Sequence, residues 1–530
     1  MDWRGLFGGD PHGALLFIAL VSLPISVVLS LCLLALYRRA VERTMHAPTE
    51  SGEALEPAPA DFGPDLSVLA KLTLDVLDPS TVAAATPSVD PGLRVAKGLA
   101  RRAAAVYAVA GAAHAAIAVV ILFVTWGTAF LPVRTFFVWF VLAWPIVPTV
   151  MMVAVSNRRA RIFGVAMYFL IAIVVSPVSL PDLAQLWGWL MGIPTALMLA
   201  VSLRPLRAVG PLVLTAVVVV LTGINVSLSV FAGWSAVPGL LVLAGFAWVT
   251  WKLFHQFTER YRRKRTSDQA LLLDSWWLLV TLWECLYLSA DAGIAGLLML
   301  AAFAAYTVIV HFGFRSVLPI GDERHGRSLL LLRVFGYRRR SERLLDDLGH
   351  TWRYAGPVNL IAAQDLAAGY VEPHAFLAFL SGRLKSLFVK GQQDLDRRIE
   401  DLDTGRDPDS RFRVNAFYCH ADTWQNTMLH LVASSHAILM DLRGFAANNQ
   451  GCVYELQQVL NMVSVRRIIL IIDATTDRTV LEDVLQQAWR RMPATSPNAV
   501  SADGRLKLFS ADTRQNNEPL LRLLFSTDPN

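Results

Sequence analysis

The stretch "MDLRGFAANNQGCVYELQQVL", residues 440–460, gathers Asp441, Arg443, Asn448, Asn449 and Glu455 around one short turn that opens a helix. A second polar turn, "FGYRRRSER", sets Gly336, Tyr337, Arg338, Arg339, Arg340 and Ser341 at another expected helix start. Backbone N–H groups at a helix N-terminus, joined by guanidinium groups, suit a phosphate. Three further turns add Gln364 and Asp365, then His420, Asp422 and Trp424, then Asp473 and Thr475. His420 and Asp422 lack the additional partners that a metal site needs, so no metal ligand set is expected and both are read as packing or capping groups. No Ser stands in a GxSxG context, and neither a GxGxxG nor a Walker pattern is present, which removes a nucleophile elbow, a conventional dinucleotide motif and a P-loop. An ordinary role accounts for Glu455 as well, since a carboxylate in a helix's first turn gains about 0.3–1 kcal/mol from the dipole.

These turns share an edge only if the elements around them form a parallel sheet. "SLLLLRVF" (328–335), "VNLIAA" (358–363), "RVNAFYC" (413–419), "HAILMDL" (436–442), "RRIILIID" (466–473) and "LKLFSA" (506–511) read as strands. Between them "SERLLDDLGHTW", "HAFLAFLSGRLKSLF", "TWQNTMLHLVASS", "GCVYELQQVLNMV" and "TVLEDVLQQAW" read as helices. Near-continuous apolar strands alternating with amphipathic helices imply an α/β doubly wound, mainly parallel sheet covered on both faces, assigned to residues 328–530. In such a sheet ligands bind outside the carboxyl ends of the strands, where all the polar turns above fall. The charged run "VKGQQDLDRRIEDLDTGRDPDSR" (389–411) reads as a helical extension turning into a solvated loop.

The rest of the chain has a different solvent. Of 530 residues 54% are hydrophobic and only 17% charged, against about 25% charged in ordinary soluble domains. The reading is a membrane all-α bundle of about nine transmembrane helices, each crossing needing roughly 20 apolar residues. The candidates are 13–36, 103–126, 130–155, 163–178, 183–203, 209–231, 234–254, 272–289 and 292–312. Residues 1–36 form an N-terminal anchor, 103–312 the bundle and 313–327 a connector. Basic residues recur in every second loop: Arg38, Arg39 and Arg43; Lys97, Arg101 and Arg102; Arg158, Arg159 and Arg161; Arg204 and Arg207; and "RYRRKR" (260–265). By the positive-inside rule this places the N-terminus outside and the C-terminal domain in the cytoplasm, with a bacterial inner membrane as the natural setting. The net charge of +6 is thus a signature of topology, and no nucleic-acid partner is implied.

Residues 37–102 read as a cytosolic Pro-rich and acidic linker, in which "LSVLAKLTLDVL" (66–77) has the apolar spacing of a helix lying on the membrane or packed on the bundle. Four scattered cysteines, Cys32, Cys285, Cys419 and Cys452, suggest neither a disulfide framework nor zinc. Within the spans ionisable residues are few. Glu284, in "TLWECLYL", is the candidate for a proton or cation relay, with a carboxylate facing a helix partner as the plainer reading, and His114 and Asp274 are the others. No paired Gly/Pro interruptions mark an inverted-repeat transporter.

The stretch "SSHAILMDLRGFAANNQGCVYELQQVL" resembles the Toll/interleukin-1 receptor (TIR) domain family: a helix ending in Ser, an apolar strand, a loop, and a small-residue turn opening a helix with a Trp/Cys-x-x-Glu-Leu pattern, here Cys452-Val-Tyr-Glu455-Leu456. "LLRVFGYR" is compatible with the family's first box but lacks its usual Ser-Tyr ending, and an extra strand and the charged run depart from the five-strand pattern. Enzymatic TIR-like domains cleave NAD at the nicotinamide–ribose bond, and the resemblance implies that Glu455 is the catalytic carboxylate. It would stabilise the oxocarbenium character left on the ribose. The resemblance also implies NAD as substrate rather than cofactor, with Arg338 or Arg339 on the pyrophosphate and Tyr337 stacking on a base. Asp365, Asp441, Arg443, Asn448 and Asn449 are the remaining candidates for nucleotide binding. The implied role is that of a membrane-anchored, self-associating signalling or defence effector. Two alternatives stay open: a non-catalytic signalling scaffold, since many TIR domains only associate, and a transporter with a regulatory cytosolic domain.

Overall fold

The computed structural model describes residues 11–46, 72–85, 90–155, 157–179, 188–201, 209–233, 236–318, 326–334, 338–362, 373–420, 422–499, 504–511 and 517–527. Its first half is helical: α1 (Pro11–His46), α2 (Pro79–Ala85), α3 (Pro91–Trp126), α4 (Pro132–Leu142), α5 (Ile146–Ala154), α6 (Arg158–Ser179), α7 (Ile193–Val201), α8 (Gly210–Gly233), α9 (Ala236–Arg262), α10 (Asp268–Ala292) and α11 (Leu300–Val317). The starts follow local chemistry. Asp90 accepts the Gly92 N–H at 2.7 Å with Pro91 in the first turn of α3, and Ser267 Oγ accepts the Ala270 N–H at 3.0 Å to cap α10, each satisfying a donor with no partner inside the helix.

Three stretches, Leu15–His46, Pro91–Trp126 and Asp268–Val317, are long and apolar enough to cross a membrane, and α4 with α5, bent by 48°, raises the number to four. Gly188–Leu199, Gly210–Ile224 and Val237–Lys252 are apolar but shorter. About nine crossings were expected; the described apolar segments are helices, and among the described residues three stretches, or four with the bent pair, meet the length and composition of a span. The last of these stretches is not one straight rod. Gly293 takes φ +61°, and Gly296 lies so close to the Cys285 carbonyl and Ser289 that a Cβ there would collide with them, so the chain folds back between α10 and α11. Leu20, Val124, Leu241 and Trp251 are exposed on helices of this half, an apolar surface suited to lipid. α1 continues ten residues past the expected anchor and α3 begins well before its expected start, so both carry their basic residues on helix.

The second half is a parallel sheet, with strands β1 (Thr73–Leu77), β2 (Leu329–Arg333), β3 (Val358–Ala362), β4 (Phe388–Val389), β5 (Val414–Cys419), β6 (Ala437–Asp441), β7 (Ile468–Ile472) and β8 (Arg505–Ser510) in the order β1-β8-β7-β6-β2-β3-β5-β4. Its helices are α12 (Arg338–Trp352), α13 (Pro373–Leu380), α14 (Gln392–Glu400), α15 (Trp424–Ser434), α16 (Gln450–Met462), α17 (Arg478–Arg490) and α18 (Glu518–Phe525). The near-continuous apolar strands have the expected cause. Leu329 and Leu331, with Leu439 and Ile471, join the core that also holds α12, α18 and the helical bundle. Leu330 and Leu332, with Ile438 and Leu470, join the core under α15, α16 and α17. Alternate side chains thus meet two different apolar layers.

Two expectations are corrected. The apolar spacing of 66–77 suggested a helix, but Thr73–Leu77 is an edge strand paired with β8 from Thr73↔Arg505 to Leu77↔Phe509. The linker between α1 and α3 is therefore part of the sheet, where backbone pairing with β8 outweighs a weak helical period. The segment 374–388 was read as one helix, yet it ends at Leu380, passes through a 3-10 turn at Leu384–Leu387 and closes as β4, after Gly382 at φ +71° breaks the helix.

The two halves meet through buried polar contacts. Arg353 forks onto Asp268 at 2.5 and 2.7 Å. Arg413 pairs with Asp407 at 3.0 Å, donates to the Tyr261 carbonyl at 2.8 Å and lies 4.1 Å from the Tyr261 ring centroid. Ser267 donates to Asp409, and Lys264 pairs with Asp403 at 2.6 Å. The end of the charged excursion, expected to be solvated, instead buries Asp407, Asp409 and Arg411, with Arg413 just before β5 buried beside them, against the turn after α9.

Candidate functional site

Strand order fixes where a ligand edge lies. From β2 the chain adds β3 and then β5 on one side, and β6, β7 and β8 on the other, so the order reverses between β2 and β6. These strands are in direct register, Arg333 opposite Asp441, and their carboxyl ends flank the crevice that doubly wound sheets use for ligands. Counted from β2 without β1, β4 and β5, the order is that of a 2-1-3-4-5 sheet; the additional strands sit at its two edges.

α16 delivers Glu455 to this edge. Cys452, one turn earlier, points its thiol at the Arg333 carbonyl at 3.7 Å, which fixes the helix against the end of β2. Glu455 is 2% exposed, and its Oε2 has no hydrogen-bond partner among the described residues. Burial pushes the carboxyl up to about 8, while the Arg333 guanidinium pulls the other way. A buried carboxylate without a matched partner is costly to ionise, so a group of this kind in a crevice is a marker of function as much as of structure.

Around it the polar side chains are largely engaged with one another. Arg443 forks onto Asp441 at 2.7 and 2.6 Å; burial acts to lower the Arg443 value, but the Asp441 carboxylate, with Asp473, outweighs it and holds the value above its usual range. Arg340, in the first turn of α12, reaches Asp473 Oδ2 and Thr475 Oγ1, each at 3.0 Å. Thr475 also donates its backbone N–H to Asp473 Oδ1 at 2.9 Å. Asn449 spends its side-chain oxygen on the Ala446 N–H at 2.8 Å, holding the turn that Gly444 begins at φ +81°. Asn448 is exposed. Asp441 and Arg443 therefore brace each other and Asn449 braces the loop, whereas Glu455 has no such partner among the described residues.

The other candidates divide by position. Arg338 and Arg339 open α12 on the same edge, with backbone described and side chains outside the described set; Tyr337, Gln364 and Asp365 lie outside the described residues. His420 lies at the end of β5, away from the reversal point, with its backbone N–H on Thr423 Oγ1 at 3.0 Å and its ring 5.2 Å from that of Phe388. The ring is packed as expected, while the cap is made by Thr423 and not by the His420 side chain, whose Nδ1 has no partner among the described residues. Among the described residues no group of three or more His, Cys, Asp or Glu is placed to hold a metal ion. Two features escaped the sequence reading. Arg333 ends β2 almost fully buried, and an arginine within the run "LLLLRV" was the available signal. Tyr454, on α16, sets its ring edge-on to Trp424 at 5.8 Å, its hydroxyl lacking a partner among the described residues.

Compared with models of protein families, with curated proteins and with solved structures, the chain matches none.

Proposed function

We propose that the chain is a multi-pass membrane protein with a TIR-like sheet domain that binds a nucleotide at the β2/β6 edge and cleaves NAD at the nicotinamide–ribose bond. Glu455 is its catalytic carboxylate. The observation that carries this reading is a carboxylate 2% exposed, with one oxygen unpartnered among the described residues, at the strand-order reversal. In the unliganded protein the carboxyl keeps its proton at neutral pH, since its value lies near 8. A cationic nicotinamide ring brought beside it favours the ionised form, just as any opposite charge within a few ångströms does. The carboxylate then faces the charge that grows on the ribose as nicotinamide departs, in a site with little water to screen it. Water completes the reaction at the ribose carbon, giving ADP-ribose, free nicotinamide and a proton.

In this reading Arg338 and Arg339, at the start of α12, hold the pyrophosphate, and Tyr337 stacks on a base. On the same reading about nine apolar segments cross a bacterial inner membrane with the N-terminus outside and the sheet domain in the cytoplasm, and turnover is gated by self-association. The full chain in lipid vesicles should consume NAD, and Glu455→Gln should abolish the consumption. Equal loss of NAD with wild type and variant would refute the enzyme. Self-association that persists without any turnover would assign the scaffold role instead.

A further inference from the structure

α3 and α10 bring two ionisable side chains together inside the bundle. His114 is twelve residues from Arg102 and twelve from the end of α3, about 18 Å from either at the helical rise per residue, so it lies near the middle of a crossing. His114 and Glu284 have side chains 0% and 1% exposed, with Nε2 and Oε2 3.5 Å apart. Gly111 makes the approach possible. A Cβ there would stand 2.7 Å from the Trp277 ring, and Trp277 meets the His114 ring edge-on at 5.1 Å.

The hydrogen bonds fix where one proton sits. Thr281 Oγ1 donates its only hydrogen to the Trp277 carbonyl at 2.8 Å, so at its 2.9 Å contact with His114 Nε2 it must accept. His114 therefore carries its proton on Nε2. Nδ1 and both Glu284 oxygens have no hydrogen-bond partner among the described residues.

Among the described residues neither side chain has an ion-pair partner other than the other one. α5, α7 and α8 contain no ionisable side chain, and α9 has none before Lys252. α1 contributes Cys32, which is exposed, and its charged residues begin only at Arg38; α4 contributes Arg134 near its start. α11 contributes Tyr306, stacked on Trp277 at 4.9 Å, with His311 and Arg315 further along; α3 adds Tyr107 two turns earlier, and α10 adds Cys285, Tyr287 one turn on and, ten residues before Glu284, Asp274.

We infer that His114 and Glu284 form a proton-binding site in the core of the membrane bundle, the bound proton resting on the Glu284 carboxyl beside a neutral His114 imidazole. The ligand is a hydrogen ion exchanged with water. An ionised Glu284 would be a lone charge in an apolar interior. Moving the proton to Nδ1 would make a loosely spaced ion pair whose desolvation outweighs its attraction and leave an N–H without an acceptor. The neutral pair carries no charge and leaves only the carboxyl O–H without an acceptor among the described residues, a smaller cost than a buried charge.

Infrared spectroscopy of the full chain in lipid nanodiscs in heavy water tests this directly. Wild type should show the carbonyl stretch of a protonated carboxylic acid near neutral pH that is absent from Glu284→Gln, and should lose that band in a single-proton step as pH is raised. In His114→Gln the band should persist at a shifted frequency, and in Glu284→Asp it should move rather than vanish, which keeps the assignment testable if one variant fails to fold. A wild-type spectrum with no acid band sensitive to Glu284, or an imidazolium signal in its place, would overturn the proposal.

Discussion

Glu455→Gln should change how the stability of the sheet domain responds to pH. Folding raises this carboxyl from the usual 4.5 to about 8 through burial. The folded protein thus keeps a proton that the unfolded chain sheds, and stability is complete below the unfolded value and falls as pH climbs through the folded one. Each pH unit between these limits costs about 1.4 kcal/mol, so the loss reaches about 3 kcal/mol near neutrality and on the order of 5 kcal/mol once the carboxyl is fully ionised. Glutamine has the same shape and no charge to lose. Its amide can leave a donor unpaired at a constant cost of about 1–3 kcal/mol, so the diagnostic is the slope against pH and not the offset. Pulse proteolysis of the full chain in detergent micelles, across a urea series at several pH values, measures it. The wild-type midpoint should fall more steeply than the variant's from acidic to mildly alkaline pH, since Asp407, pushed up to about 7 by burial, gives both a shared slope, and the variant should overtake wild type at the alkaline end. Parallel profiles would show that Glu455 is solvated or partnered in the folded protein and would remove the physical basis of the proposed site.

Gly356→Ala would push a methyl group into the backbone carbonyl of Arg327; because main chain must yield, a loss of about 1–3 kcal/mol or more is expected, read as a lower urea midpoint. Arg443→Gln leaves Asp441, only 3% exposed, without its fork and should cost about 3–5 kcal/mol; adding Asp441→Asn should restore much of it, and strict additivity in that double-mutant cycle would contradict the pairing. Arg353→Ala breaks a buried pair with Asp268 and should cost a similar amount, about 3–5 kcal/mol, with amide exchange rising in residues 407–413 before it rises in β6 or β7. Unchanged exchange there would mean that the pair does not hold the two halves together.

Period and composition carried most of the sheet. The six longer strands of the C-terminal half were legible because β2, β3, β6 and β7 are apolar runs buried at nearly every position and β5 and β8 are mainly apolar with partly exposed positions, and α12, α15, α16 and α17 because their apolar faces repeat at helical spacing. β1 was not legible, since its pairing is with residues more than 400 positions later and its own side chains are mostly exposed. The two-residue β4 was lost for want of length. At the site, Glu455 could be named from its helix and turn, but the mutual pairing of Asp441 with Arg443 and of Arg340 with Asp473 could not, because sequence shows which groups reach an edge and not which of them neutralise one another there. Arg333 was hidden by its own strand. The burial of Asp407, Asp409 and Arg413 failed for a related reason: a charged run is solvated unless another surface offers complementary partners, and those partners lie on the turn after α9.

That turn connects two readings that the sequence kept apart. The basic residues "RYRRKR" count as topology markers, and the acidic run from Asp401 to Asp409 as a solvated excursion, but Lys264 pairs with Asp403 and the Tyr261 and Thr266 carbonyls take the Arg413 guanidinium. Residues that the positive-inside reading counts as topology markers also seat the sheet domain, so in the proposed membrane arrangement that domain and that loop share one side of the bilayer. α10 starts at this joint, with Ser267 on Asp409 and Asp268 on Arg353, and reaches Glu284 sixteen residues later, about 24 Å along one helix. A helix this long with its interior bonds satisfied moves more readily than it deforms. A change of charge at Glu284 that shifts α10 is therefore felt at Arg353, which follows α12, the helix that opens on the candidate site with Arg338, Arg339 and Arg340. The polar pair in the bundle and the proposed nucleotide edge of the sheet are joined by two helices and one buried ion pair.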